Sequence, residues 1–179
     1  MKKKILVAFL LTFLLCACNM GNTPTKKVES FLNKYKTLDS TVIEQMENMI
    51  STDTLMDDEG RNMYSDALKR QYQDLTYVIK DEMVDGDKAV VTVEIDVYDF
   101  YKTNNESSKY YASNKDKFEG ETDAEKELKY VEYRIKQLKN TTDRVKYTID
   151  FNLTKVKNKW IIDDIDDVTR LKIHGLYEY

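Results

Sequence analysis

Four side chains put recognition or acid–base chemistry on what the sequence marks as a single face: Asp99, Tyr77, Tyr147 and Trp160. Asp99 follows Val91, Val93, Ile95 and Val97 at the same alternating parity. Enclosure disfavours the charge of a carboxylate, so an enclosed Asp99 would act as a base or a ligand anchor. With a neighbouring tyrosine it would suit a small isomerase or hydrolase pocket. The competing reading, and the expected one, puts Asp99 at a strand end, past the rim of the core and in water. Tyr77, Tyr147 and Trp160 line such a pocket or fill the core; aromatics in these positions more often fill cores.

The rest of the inventory is short. His174 is the only histidine, and the two cysteines, Cys16 and Cys18, both lie near the N-terminus. No Ser-His-Asp set is indicated, and a zinc site of nitrogen and sulfur ligands is excluded, so no metal and no cofactor is expected. His174 stands at a predicted helix end, where a cation suits the negative end of the dipole. Asp163, Asp164, Asp166 and Asp167 raise a calcium reading, but the EF-hand spacing fails. The sixth position from Asp163 or Asp164 is Val168 or Thr169 instead of Gly, and the twelfth is His174 or Gly175 instead of Glu. These carboxylates fit a strand end and a helix N-terminus better. Tyrosine is abundant, with 13 in the chain. Tyr98, Tyr101, Tyr110, Tyr111, Tyr130 and Tyr133 surround one segment and form either a recognition surface or helix packing.

Two hairpins position these residues. Leu75, Tyr77 and Ile79 alternate with polar residues, Asp85-Gly86-Asp87 turns, and Ala89 to Val97 alternates again. Val145, Tyr147, Ile149, Phe151 and Leu153 form a third alternating run; Lys157-Asn158-Lys159 turns and Trp160 to Ile165 returns. Three helices precede the first hairpin. The first has Thr23 as cap and Pro24 at its first position, followed by Val28, Phe31, Leu32 and Tyr35 at helical spacing. The others carry Val42, Met46 and Ile50, then Met63, Ala67, Leu68 and Tyr72. Residues 103–142 interrupt the sheet. There Thr122-Asp123-Ala124-Glu125 reads as a capping box ahead of Ala124, Leu128, Val131, Ile135 and Leu138, and a short helix is predicted near residues 107–112. Asp166 caps a last short helix that ends at His174-Gly175. The expected class is α+β: N-terminal helices packed on a curved antiparallel sheet built from two hairpins, with a helical insertion between them.

The first twenty residues, MKKKILVAFLLTFLLCACNM, set three lysines before an apolar run at residues 5–15. That run is shorter than the roughly 20 residues needed to cross a bilayer as a helix, and has the length of a secretory h-region. Leu15-Cys16-Ala17-Cys18 resembles the lipobox of bacterial lipoproteins, with a branched residue three before the cysteine and a small residue just before it. The resemblance implies that Cys18 carries the lipid and that Cys16 leaves with the signal peptide. A plain secretory signal would instead leave Cys18 as a lone thiol in an oxidising compartment, an odd group to keep. The expected organisation is a signal peptide at residues 1–17, a lipidated tether at 18–23, and one α+β domain at 24–179. Two acyl chains anchor stably where one does so only marginally.

Without the three leader lysines, 25 basic side chains face 32 acidic ones, a net charge of −7. That balance argues against nucleic acid as a partner. The stretch YTIDFNLTKVKNKWIIDDI resembles the closing hairpin of small Gram-positive lipoproteins with a nuclear transport factor 2-like, or cystatin-like, cone fold. That resemblance implies a fold and an extracytoplasmic location at the cell membrane, and no common reaction. The functional expectation is a non-catalytic binding or accessory module of the envelope, facing a protein, a glycan or a small ligand. The alternative is the small pocket enzyme built on Asp99.

Overall fold

The computed structural model describes residues 22–52 and 55–179. The signal peptide, Cys18 and most of the tether lie outside the described residues.

Each helix start is fixed by a side chain that accepts from an otherwise unpaired backbone N–H. Helix α1 (Pro24–Lys36) is capped by Thr23, with proline in its first turn. Helix α2 (Ser40–Ser51) is capped by Asp39, and α3 (Asp58–Gln73) by Asp57. Strands β1 (Thr76–Asp85) and β2 (Lys88–Tyr98) form the first hairpin. The insertion holds α4 (Phe100–Ser113), a 3-10 turn at Lys115–Lys117, and α5 (Asp123–Asn140). In α5 both bonds of the Thr122–Glu125 capping box form. Strands β3 (Arg144–Val156) and β4 (Lys159–Ile162) make the second hairpin, and α6 (Asp167–Ile173) closes behind its Asp166 cap.

The four strands follow one another in sheet order, β1-β2-β3-β4, all antiparallel. The insertion therefore does not reorder the sheet: β2 pairs with β3 along its whole length, from Lys88 opposite Thr154 to Tyr98 opposite Arg144. The second hairpin turns on Lys157 and Asn158, both at positive φ, the geometry that suits the twist of flanking strands. The first uses Gly86 at φ +58°. The fold class matches expectation: helices gather against one face of an open antiparallel sheet, and six α-helices are present among the described residues.

Val91, Val93, Ile95 and Val97 of β2 meet Ile149, Phe151 and Leu153 of β3, with Val28, Leu32, Ala67, Leu68 and Tyr72 from α1 and α3 laid over them. The opposite sheet face carries Thr92, Glu94, Asp96, Lys146, Thr148 and Asp150 toward solvent, the one-sided pattern of an antiparallel sheet with one covered face. A smaller cluster of Met56, Val131 and Ile135 ties α3 to α5.

Two expectations change. Helix α4 is fourteen residues long and begins at Phe100, well before the short helix expected near 107–112. Its start is set by Asp99, whose carboxylate accepts from Lys102 N–H at 2.8 Å. On the last expected strand, ladder pairing stops at Ile162, where the Asp-rich segment begins.

Trp160 is only 7 % exposed. Truncating a buried tryptophan removes its transfer energy and leaves a cavity, so Trp160→Ala should cost about 3–5 kcal/mol. Urea unfolding followed by circular dichroism measures this, since Trp160 is the sole tryptophan. A loss under about 1 kcal/mol would place the ring at the surface.

Candidate functional site

Tyr77 lies opposite Ile95, and Ile95 opposite Tyr147, so the two tyrosines sit on one row of the core face about 10 Å apart. Trp160 pairs with Lys155, eight residues along β3 from Tyr147, or about 27 Å away. The four candidate residues therefore do not surround one space. Tyr77 sits at the α1 edge, its hydroxyl directed at Asn33 Oδ1 at 3.4 Å, and Trp160 packs at the other end of the sheet under the ring contact of Lys155.

Asp99 and Tyr147 do meet, at the end of the sheet where α6 runs out. The expectation that Asp99 lies in water is overturned: it is 2 % exposed. The cause is the early start of α4, which folds Asp99 back as a cap, together with the C-terminal segment that covers it. The Tyr179 hydroxyl donates to Asp99 Oδ2 at 2.5 Å. Tyr179 lies against Tyr101 and Tyr147, and the Tyr147 hydroxyl donates to the carbonyl of Tyr177 at 2.9 Å. Burial, then the nearby Asp99 carboxylate, holds the Tyr147 phenol well above its ordinary range. The hydrogen bond to Asp99 raises that of Tyr179. Both oxygens of Asp99 thus have donors.

The tyrosines of the insertion pack mainly on one another. Tyr110 stacks on Tyr133 with centroids 5.2 Å apart, and Tyr111 on Tyr130 at 4.6 Å. Phe118 presents an edge-on contact to all four. Tyr98 lies between the guanidinium groups of Arg70 and Arg144. Beside these rings runs an open groove of about 630 Å³ between α3 and α5. Two of its four lysines are matched in place: Lys129 pairs with Glu132 and Lys139 with Asp66. Size alone therefore gives that groove no chemical preference.

A smaller cleft of about 260 Å³ has one. It opens between α2 and α6, over Tyr35 of α1 and Tyr72 of α3. His174, the C-cap of α6, stands 2.8 Å through Nδ1 from the Tyr72 hydroxyl. The sequence placed a cation here, and the structure corrects that. Burial, with a smaller push from Arg170, lowers the His174 pKa to about 4, so the ring is neutral near pH 7. Desolvation outweighs the helix-end dipole. Tyr35 and Tyr72 both have raised phenol pKa values, chiefly through burial. Sequence reasoning missed this cleft because Tyr35 and Tyr72 sit at apolar positions of their helices, and nothing in their local spacing says that they meet His174.

No protein-family model matches the chain. Among solved structures the chain is similar to the crystal structure of "a putative lipoprotein (ycdA)" from Bacillus subtilis, with a TM-score of 0.47 and 13 % identity. The alignment covers 78 % of this chain and 46 % of that one, so the chain spans less than half the length of that protein.

Proposed function

We propose that this chain is a lipid-anchored protein of the cell envelope that binds or assists and does not catalyse. The observation that carries the non-catalytic half is the engagement of Asp99. The acid that the strand pattern set aside for a pocket accepts from Lys102 N–H and Tyr179 O–H instead. A base that must accept a substrate proton needs a path to that substrate, and here a tyrosine occupies it.

The anchoring half rests on Leu15-Cys16-Ala17-Cys18, with Cys18 as the lipid-bearing residue. No helix among the described residues is long and apolar enough to cross a membrane. Asn22 adds an orientation. Its amide donates to the Asn158 carbonyl at 2.7 Å, and its Oδ1 accepts from Trp160 N–H at 3.4 Å. The four Cα–Cα steps from Cys18 to Asn22 reach at most about 14 Å. The β3–β4 turn, with Lys26, Lys27, Lys157 and Lys159 around it, then faces the bilayer, and the far end of the sheet faces outward. The cone-fold relationship belongs to the same reading, supported by the closing hairpin and the helices on one sheet face.

Cys18→Ala should abolish palmitate labelling and either release the domain from the membrane fraction or stall it as precursor. Fractionation with metabolic labelling checks both. A variant still processed and still membrane-bound would refute the lipid anchor.

A further inference from the structure

The cleft between α2 and α6 contains no Asp or Glu among its lining residues, in a chain with 32 of them. Its polar groups are donors in excess. Arg170 stands at the exposed rim and forms no ion pair among the described residues. At the floor, Tyr35 is 6 % exposed, and its ring packs on Tyr72 with centroids 5.2 Å apart. The Tyr35 hydroxyl has no hydrogen-bond partner among the described residues, and it is not sealed from solvent, so it is free to donate to a bound group. The Tyr72–His174 pair adds a further donor. A neutral imidazole carries one N–H and the phenol one O–H. Their mutual bond at 2.8 Å uses one of the two, whichever tautomer is present, and leaves the other. The remaining wall comes from α2: Val42, Met46 and Met49 are apolar, and Gln45 adds a neutral amide. Methionine adapts its shape to what it meets.

We infer that this cleft binds a small monocarboxylate, with the carboxylate held by Arg170 and the Tyr35 hydroxyl and the apolar tail against Met46 and Met49. One guanidinium balances one negative charge, and neutral donors complete the oxygens. The neutral state of His174 fits this role, since the ring contributes a dipole and not a second cation. The volume of about 260 Å³ equals fewer than ten waters at ~30 Å³ each, enough for a tail of about five or six carbons. A concave apolar wall with a few convergent polar groups is the common form of a small-molecule site. The inference gives the proposed binding module a ligand class, and it rests on that reading but not on the lipid anchor.

The test uses the full-length protein in a non-ionic detergent, titrated with sodium benzoate by calorimetry. Benzamide serves as the uncharged probe of the same shape, and inorganic phosphate as the anion without a tail. Benzoate should bind one-to-one, with benzamide and phosphate each at least tenfold weaker. Arg170→Gln should weaken benzoate at least tenfold with an unchanged melting temperature, because Arg170 holds no ion pair that folding needs. Tyr35→Phe should weaken it about threefold to tenfold and keep the ring packing. Equal binding of benzamide, equal binding of phosphate, absence of benzoate binding, or unchanged affinity in Arg170→Gln would each overturn the inference. All of these readouts leave the membrane fractionation of Cys18→Ala untouched, so failure of the cleft and failure of the anchor are separable.

Discussion

Gly175→Ala should unfold or severely destabilise the protein, by more than about 3 kcal/mol in urea titration. Gly175 follows the C-cap of α6 at φ +71° and completes a Schellman arrangement: its N–H donates to Lys172 O, and Leu176 N–H donates to Leu171 O. A side chain at such a φ alone costs about 1 kcal/mol. The larger part is steric. A Cβ on Gly175 would collide with the Tyr98 carbonyl oxygen and the Gln71 side-chain amide. Neither can yield. Gln71 is fully buried, accepts from Tyr98 N–H at 2.8 Å and donates to Tyr98 O at 3.0 Å, so its side chain continues the pairing of the end of β2. Gly175 in turn accepts from Tyr101 N–H at 2.8 Å, which ties the tail to α4. Gly86→Ala is the matched control. Its φ of +58° is similar, but nothing lies within 4 Å of the added carbon, so it should cost only about 1 kcal/mol. Equal costs for the two variants would mean that the chain after α6 does not rest on Tyr98.

This junction also marks how far the sequence could be read. The hairpins were legible because alternation with one polar side fixes strand, face and register together, and β2 and β3 keep that alternation from Ala89 to Val97 and from Val145 to Leu153. The caps at Thr23, Thr122 and Asp166 were legible because each is a local bond between neighbours three residues apart. Asp99 was misplaced for a physical reason. Strand parity carries a residue to a face only while the strand lasts, and β2 ends at Tyr98. From there Asp99 is governed by α4, and its burial depends on Tyr179, eighty residues away. The cleft at His174 was invisible for the same reason. Its floor comes from α1 and α3 and its rim from α2 and α6, so no spacing within any of them encodes it.

His174 makes that long-range placement measurable, because its environment should appear as a pH dependence of stability. Burial favours the neutral ring, so the folded-state pKa falls to about 4, from about 6.5 in an open chain. Between these values the unfolded chain binds a proton that the folded one refuses. Stability from this group is therefore fully present above pH 6.5 and is lost as pH falls toward 4, then levels off. A shift of this size corresponds to about 3 kcal/mol at full effect, and to less where water reaches the ring edge. His174→Asn removes the titration and keeps an amide within reach of the Tyr72 hydroxyl. Carboxylates across the fold titrate in the same window, so the quantity to follow is the difference between the two proteins. Urea midpoints at half-unit steps from pH 7.5 to 4 should show the native chain losing its advantage by about 2–3 kcal/mol, mostly below pH 6. A constant difference would mean that the ring titrates as in solution. A difference that widened in favour of the native chain on acidification would mean that the end of α6 holds a cation there after all.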